Sequence, residues 1–245
     1  MSDAVSSYLP MYINGAFVGA GLTVLVMALA TLIGLAVALG KVSPNRTLRG
    51  IFSAYTIIFR GTPPLVLLYI VYFGIPSWVA STDNDFLKAI ATPLDNRILA
   101  VVIAMTLVVA AYSAEIIRAA IQSIHADQME AARSIGMSRM KAMRHIILPQ
   151  AFRTAVPPMA SEFVVTLKGT SLTSVIGVTE LTRAAQITAS ATFHVMEAYM
   201  LAAFFYIVMV TILQSFVTWI ERRLVPSSSR KPGFVSRVAN RFRAA

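Results

Sequence analysis

Residues 127–151 read DQMEAARSIGMSRMKAMRHIILPQA, the one long polar and basic stretch in an otherwise apolar chain. The local chemistry predicts two short helices joined by a turn. Asp127 followed by Glu130 has capping-box spacing, with Asp127 at the cap. Met129, Ala132 and Ile135 recur at spacing three and share a face. Gly136 is expected to end the first helix, because glycine takes the left-handed position after a helix without a Cβ penalty. Ser138 can cap the next turn, with Met140, Met143 and Ile147 on its apolar face. Pro149 suits the first turn of a following helix, where its missing N–H costs nothing. The small Ala131 and Ala132 leave room for another surface to approach the backbone.

The sequence around this stretch belongs in a membrane. Of 245 residues, 57% are hydrophobic and 13% charged, with a mean hydropathy of +0.70, whereas soluble domains carry about 25% charged residues. The absence of cysteine excludes disulfides and thiolate metal sites. His125, His145 and His194 lack ligand-like spacing. A net charge of +10 would suggest nucleic acid for a soluble protein. Here the bias of basic residues towards the cytoplasmic side accounts for it, and no nucleic-acid partner is expected. The start MSDAVSSYLPMYINGAF has no basic region of a cleavable signal.

Upstream, no charge occurs between Asp3 and Lys41, and residues 17–40 are long enough to cross a bilayer. Gly19, Gly21 and Gly34 suit close helix packing within that span. Lys41, Arg46 and Arg49 form a short basic loop. A second apolar stretch, 51–75, is interrupted by Arg60-Gly61-Thr62-Pro63-Pro64. Such a break is tolerated where it is buried or lines a cavity; a helix end with a snorkelling arginine is the other reading. Residues 78–97, with Asp83, Asp85, Lys88, Asp95 and Arg97, read as a polar loop. The third span, 98–114, runs into Glu115 and Arg118, which can pair at spacing three. Downstream, a fourth span begins near Pro149 and should bend at Pro157-Pro158; it carries Glu162 and Lys168. A hydroxyl-rich stretch follows, with a short helix over 180–187, then a fifth span over 198–220 and a basic tail. With the N-terminus outside, segments 41–49, 118–153 and 222–243 face the cytoplasm and hold 16 of the 21 Lys and Arg.

Glu130-Ala131-Ala132, Gly136 and Ile146-Ile147-Leu148-Pro149 together resemble the EAA loop of ABC-transporter permease subunits. Phe59-Arg60-Gly61-Thr62-Pro63-Pro64 looks like the FRGTP motif of polar amino-acid permeases. Ala111-Tyr112-Ser113-Ala114-Glu115-Ile116-Ile117-Arg118 and Leu167-Lys168-Gly169-Thr170-Ser171-Leu172 are similar to two further motifs of that group, in the same order. The chain is thereby identified as resembling the permease subunit of a polar amino-acid ABC importer of the histidine/glutamine/arginine type. Two departures stand out: Asp127 replaces a usual glycine, and Gly169 a usual aspartate.

The resemblance implies an all-α integral membrane protein with the type I ABC importer permease fold, about five transmembrane helices and a cytoplasmic coupling helix. Residues 1–222 would form the permease domain, with a coupling loop at 127–149, and 223–245 a basic cytoplasmic tail. Glu130, Ala131, Ala132, Gly136, Leu148 and Pro149 would contact an ATP-binding subunit. The implied partners are two ATP-binding subunits, a second permease chain (identical or paralogous), an extracytoplasmic solute-binding protein and the lipid bilayer of a bacterial inner membrane. The chain has no phosphate-cradling loop, so no cofactor is expected on it; ATP and Mg would sit on the partner ATPase.

For an amino-acid-like solute, Glu115 and Glu162 can meet an ammonium. Arg60, Lys168 and the Thr170 and Ser171 backbone can meet a carboxylate. The same charges can instead form structural pairs, Glu115 with Arg118 and Glu162 with Lys168 or Arg60. Gly169 leaves Lys168 less neutralised, which leans towards neutral or acidic solutes. An ion-gradient-driven transporter of small polar solutes, or a membrane scaffold, would use similar spans but would leave the EAA-like loop without a purpose.

Overall fold

The computed structural model describes residues 6–224, all helical but for short connections. Ten helices are labelled in chain order: α1 Leu9–Lys41, α2 Arg46–Gly61, α3 Pro64–Ala80, α4 Asp85–Ala91 and α5 Arg97–Gln122 come first. They are followed by α6 Ala126–Ser134, α7 Arg139–Ala142, α8 Leu148–Gly169, α9 Leu181–Thr192 and α10 Val195–Leu224. Of the basic tail expected at 223–245, all but its first two residues, which end α10, lies outside the described part, as do the first five residues.

Asparagine side chains start three of these helices. Asn45, Asn84 and Asn96 each accept two backbone N–H bonds at the first turn of α2, α4 and α5. Lys41 closes α1 with a positive charge at the carbonyl end, which suits the helix dipole. The break expected at Arg60–Pro64 is present: α2 and α3 meet at 101°. Thr62 and Pro63 are both extended, as residues preceding proline must be, and Pro64 restarts the helix at its first position.

α1, α5 and α10 are long and apolar enough to cross a membrane, and the bent α2–α3 pair counts as a broken span. α8, at 22 residues and about 33 Å, is long enough as well, although less apolar. Among the described residues, length and apolarity thus mark three spans, or four with the bent pair; α8 stands where the remaining one of the five was expected, on its length alone. α1 packs along α5 more extensively than any other pair. Leu22, Leu68, Val71, Val101 and Ile176 form the core towards one end. Val37, Ala38, Ala114, Ile117, Ile147 and Ala151 form it towards the other.

Several expectations need correction. The 78–97 stretch is a helical hairpin rather than a polar loop, because Asn84 caps α4 and Val79, Ala91 and Leu94 have a core to enter. Asp127 is not a cap: α6 begins at Ala126 behind His125, and Asp127 sits in the first turn, where its charge favours the dipole. The short helix is longer than expected, with Glu180 as its cap, accepting the N–H groups of Thr182 and Arg183 at 2.9 Å.

Candidate functional site

The segment around Gly136 is an exposed turn on a buried footing. α6 closes with paired backbone bonds, Gly136 N–H to Arg133 and Met137 N–H to Ala132, at 3.0 and 3.1 Å. Gly136 holds φ +84 to make them. Ser138 caps the next turn through the Lys141 N–H. Ala132 and Ala142 are buried, and Met129, Met143, Ile146 and Leu148 pack onto the core formed by α1, α5 and α8. Of the apolar residues expected to face inward, Ile135 and Met140 do not: they stand 77% and 76% exposed on either side of the turn. Glu130, Ala131, Arg133, Arg139, Lys141 and Pro149 are also exposed. A hydrogen-bonded turn presenting two large apolar side chains among basic ones has the makings of a docking surface.

Behind this segment lies a charged cluster. Glu115 on α5 pairs with Arg118 at 2.7 Å, as spacing three suggested. It also pairs with Lys41 at the end of α1, whose ammonium donates to Thr56 on α2 as well. Three helices thus meet in one cluster, α1 and α5 at the carboxylate and α2 through the Lys41 ammonium. No sequence signal points from Lys41 to a residue 74 positions away; Lys41 read as loop because it follows the last apolar residue of a span. Arg118 donates further to Gln122.

Glu115, Arg118 and Arg60 line an open groove of about 610 Å³, together with Thr154 and Pro158 of α8. The structure therefore brings Arg60 and Glu115 to one cavity. Arg60 lies over the Tyr112 ring, 5.3 Å from its centre. Glu162 is one helical turn beyond Pro158 on α8, half-buried, and Lys168 is exposed further along. Neither they nor Arg60 forms an ion pair among the described residues, so the expected Glu162 pairings with Lys168 or Arg60 are absent there. Thr170 is fully buried and its hydroxyl donates to the Leu167 carbonyl at 2.8 Å. Ser171 is partly exposed, and its carbonyl accepts the Ser174 hydroxyl.

The described residues thus form a helical bundle suited to a membrane, with one broken span, a charged groove at the break and an exposed turn that carries two apolar side chains, the architecture of a multi-pass membrane protein. The family model described as "Binding-protein-dependent transport system inner membrane component" matches residues 30–226. The L-cystine transport system permease protein TcyB of Bacillus subtilis (strain 168) is 38% identical over 219 residues, 89% of this chain and 88% of TcyB. The glutamine transport system permease protein GlnP of Escherichia coli (strain K12) is 31% identical over 225 residues, 91% and 96% of the two chains. A crystal structure of an amino acid ABC transporter with histidines superposes with a TM-score of 0.78 at 36% identity, covering 91% of this chain and 99% of that one. The MetNI methionine ABC transporter, facing inward, shares the fold at a TM-score of 0.72 and 18% identity, over 92% of this chain and 100% of its own. The chain belongs to the family of binding-protein-dependent transport system inner membrane components, the multi-pass permease subunits of ABC importers. These relatives give no support to an ion-gradient-driven transporter.

Proposed function

We propose that this chain carries a polar amino acid or amino-acid-like solute inward across the bacterial inner membrane, driven by ATP. The observation that carries the reading is the groove in which Arg60 and Glu115 meet at the broken span. The relatives named for glutamine and L-cystine transport support the solute class. Arg60 has no carboxylate partner among the described residues and is open to a solute carboxylate. Glu115 is already neutralised by Lys41 and Arg118, so the ammonium falls to Glu162, which has no hydrogen-bond or ionic partner among the described residues. Lys168 and Ser171 would extend the path, while the Thr170 hydroxyl holds the turn behind them.

The working assembly is this chain, a second permease chain, two ATP-binding subunits carrying ATP and Mg, and an extracytoplasmic solute-binding protein. Glu130, Ala131, Ala132, Gly136, Leu148 and Pro149 form or support the turn that contacts the ATP-binding subunit. ATP-driven approach of those subunits would push the two turns together and switch the permease between its accessible states.

The test is uptake into vesicles containing the whole assembly and its binding protein. Uptake should require ATP. Arg60→Gln and Glu162→Gln should each lower it by about ten- to a hundredfold, the value of a charge-assisted hydrogen bond. Uptake driven by an ion gradient without ATP would sink the reading. In the same vesicles, Gly169→Asp should shift competition towards cationic solutes; an added Cβ there meets only the Met105 methyl, at 3.5 Å.

Orientation has its own check. Ser138→Cys, in the exposed turn, should be labelled by an impermeant thiol reagent only from the cytoplasm. Ser81→Cys, at the exposed tip beyond α3, should be labelled only from outside. The chain has no other cysteine, so a reversed pattern would overturn the topology.

A further inference from the structure

The helical hairpin between the bent span and α5 carries an apolar face that the bundle leaves uncovered. Its inward residues, Val79, Ala91 and Leu94, are buried. Trp78, Phe86 and Ile90 point elsewhere, 63%, 72% and 58% exposed. Phe86 and Ile90 are four apart on α4 and so share one side of that helix. Asp85 and Lys88, three apart, share another. The hairpin is therefore two-sided. A groove of about 490 Å³ on it is lined by Ser77, Lys88, Thr92 and Asp95 among others, and its tip, residues 81–84, is polar.

We infer that Trp78, Phe86 and Ile90 lie in the lipid interface, anchoring the hairpin flat on the membrane at the end of the bundle opposite the Gly136 turn. Three features of the molecule favour lipid over a soluble partner. First, the face is continuous with a membrane span. Trp78 belongs to α3, the second arm of the broken span, and Tyr69, Ile70 and Phe73 of the same arm are exposed along it. Second, the residues are those of an interfacial belt, where aromatic rings sit at headgroup depth. Third, the water level is marked: Arg97 opens the next span, bonded to the Tyr72 hydroxyl and the Gly177 carbonyl, so the hairpin lies between two spans at the point where both leave the membrane. A short helix with an apolar side and a charged side at that depth lies in the plane of the interface. The inference does not depend on which way round the chain is inserted, since both leaflets have such a zone.

The chain holds two tryptophans, so Trp219→Phe leaves Trp78 as the sole reporter. The variant assembly, with the tryptophans of its partner subunits replaced by phenylalanine, is placed in vesicles of phosphatidylethanolamine and phosphatidylglycerol, without binding protein, carrying nitroxide lipid labelled near the headgroup or near the chain end. The expected result is blue-shifted emission, lost more to the shallow nitroxide than to the deep one, with little loss to aqueous iodide. Dominant loss to iodide would place the face in water, open to a soluble partner, and overturn the inference. Insensitivity to all three quenchers would mean that protein covers it, a second permease chain included. Stronger loss to the deep label would put Trp78 among the spans. Either of those results overturns the inference as well. If the Phe variant does not assemble, Trp219→Tyr serves, with excitation set to select tryptophan. As a second reading, Phe86→Ser combined with Ile90→Ser should raise the iodide loss of Trp78 emission.

Discussion

A Gly136→Val variant is expected to insert and to recruit its partners, yet to lose solute-stimulated ATPase activity and uptake by at least about tenfold. The argument is local. Gly136 holds φ +84, and the two bonds that close α6 depend on that angle. An L-residue in the left-handed region costs roughly 1–2 kcal/mol, and a β-branched one more. Space is not the issue, because an added Cβ would meet nothing within 4 Å. The penalty is therefore conformational, and the chain relieves it by rotating out of the left-handed region. That rotation would re-aim Ile135 and Met140, which flank the turn and are its exposed apolar groups. It is too small to unfold a protein whose spans are packed elsewhere. The same reasoning ranks the replacements: Gly136→Asn should keep most activity, Gly136→Ala part of it, and Gly136→Val very little. The measurement is ATPase activity of the purified assembly with and without loaded binding protein. Normal stimulation in the valine variant would show that this turn is not the docking element.

What could be read from the sequence was what short-range chemistry decides. The turn at Gly136, the cap at Ser138 and the break at Pro63-Pro64 each follow from residues within a few positions, and the structure has all three. The Glu115–Arg118 pair was legible for the same reason, at one helical turn. Lys41 was not, since its bond to Glu115 exists only because α1 lies along α5. The hairpin of α3 and α4 was misread because its charges dominate composition, whereas Asn84 and three inward apolar residues determine its shape. Ile135 illustrates the limit of periodicity: spacing three placed it with Met129 and Ala132, but α6 has ended before it, and it points out. Gly15 escaped notice, although its Cβ position lies 2.8 Å from the Glu180 backbone, so α1 passes α9 there at glycine distance. Gly21, singled out with Gly19 and Gly34 as a packing glycine, faces open space.

Gly34 is the packing glycine whose loss should cost most. A Cβ at this position would lie 2.8 Å from the Ser113 Cβ and 3.1 Å from both the Ala110 carbonyl oxygen and the Ala114 nitrogen. Two of these three atoms are α5 backbone, so no rotamer change makes room; the helices must separate. α1 and α5 form the largest helix contact in the bundle, and in a membrane that contact relies on close packing rather than on hydrophobic drive. Gly34→Val should therefore destabilise the chain by about 3 kcal/mol or more, the upper end of overpacking. Separation would also reach the charged cluster. Lys41 lies seven residues, about two turns, beyond Gly34 on the same side of α1, and its reach to Glu115 depends on the spacing of the two helices. The variant should then show two defects with one cause, a lower unfolding midpoint and loss of uptake, whereas Gly34→Ala should be milder in both. Gly21→Val, on the same helix with nothing within 4 Å, is the control and should change neither by much. If Gly34→Val and Gly21→Val behaved alike in thermal unfolding, the close approach of α1 to α5 at Ser113 would not be what holds the bundle together.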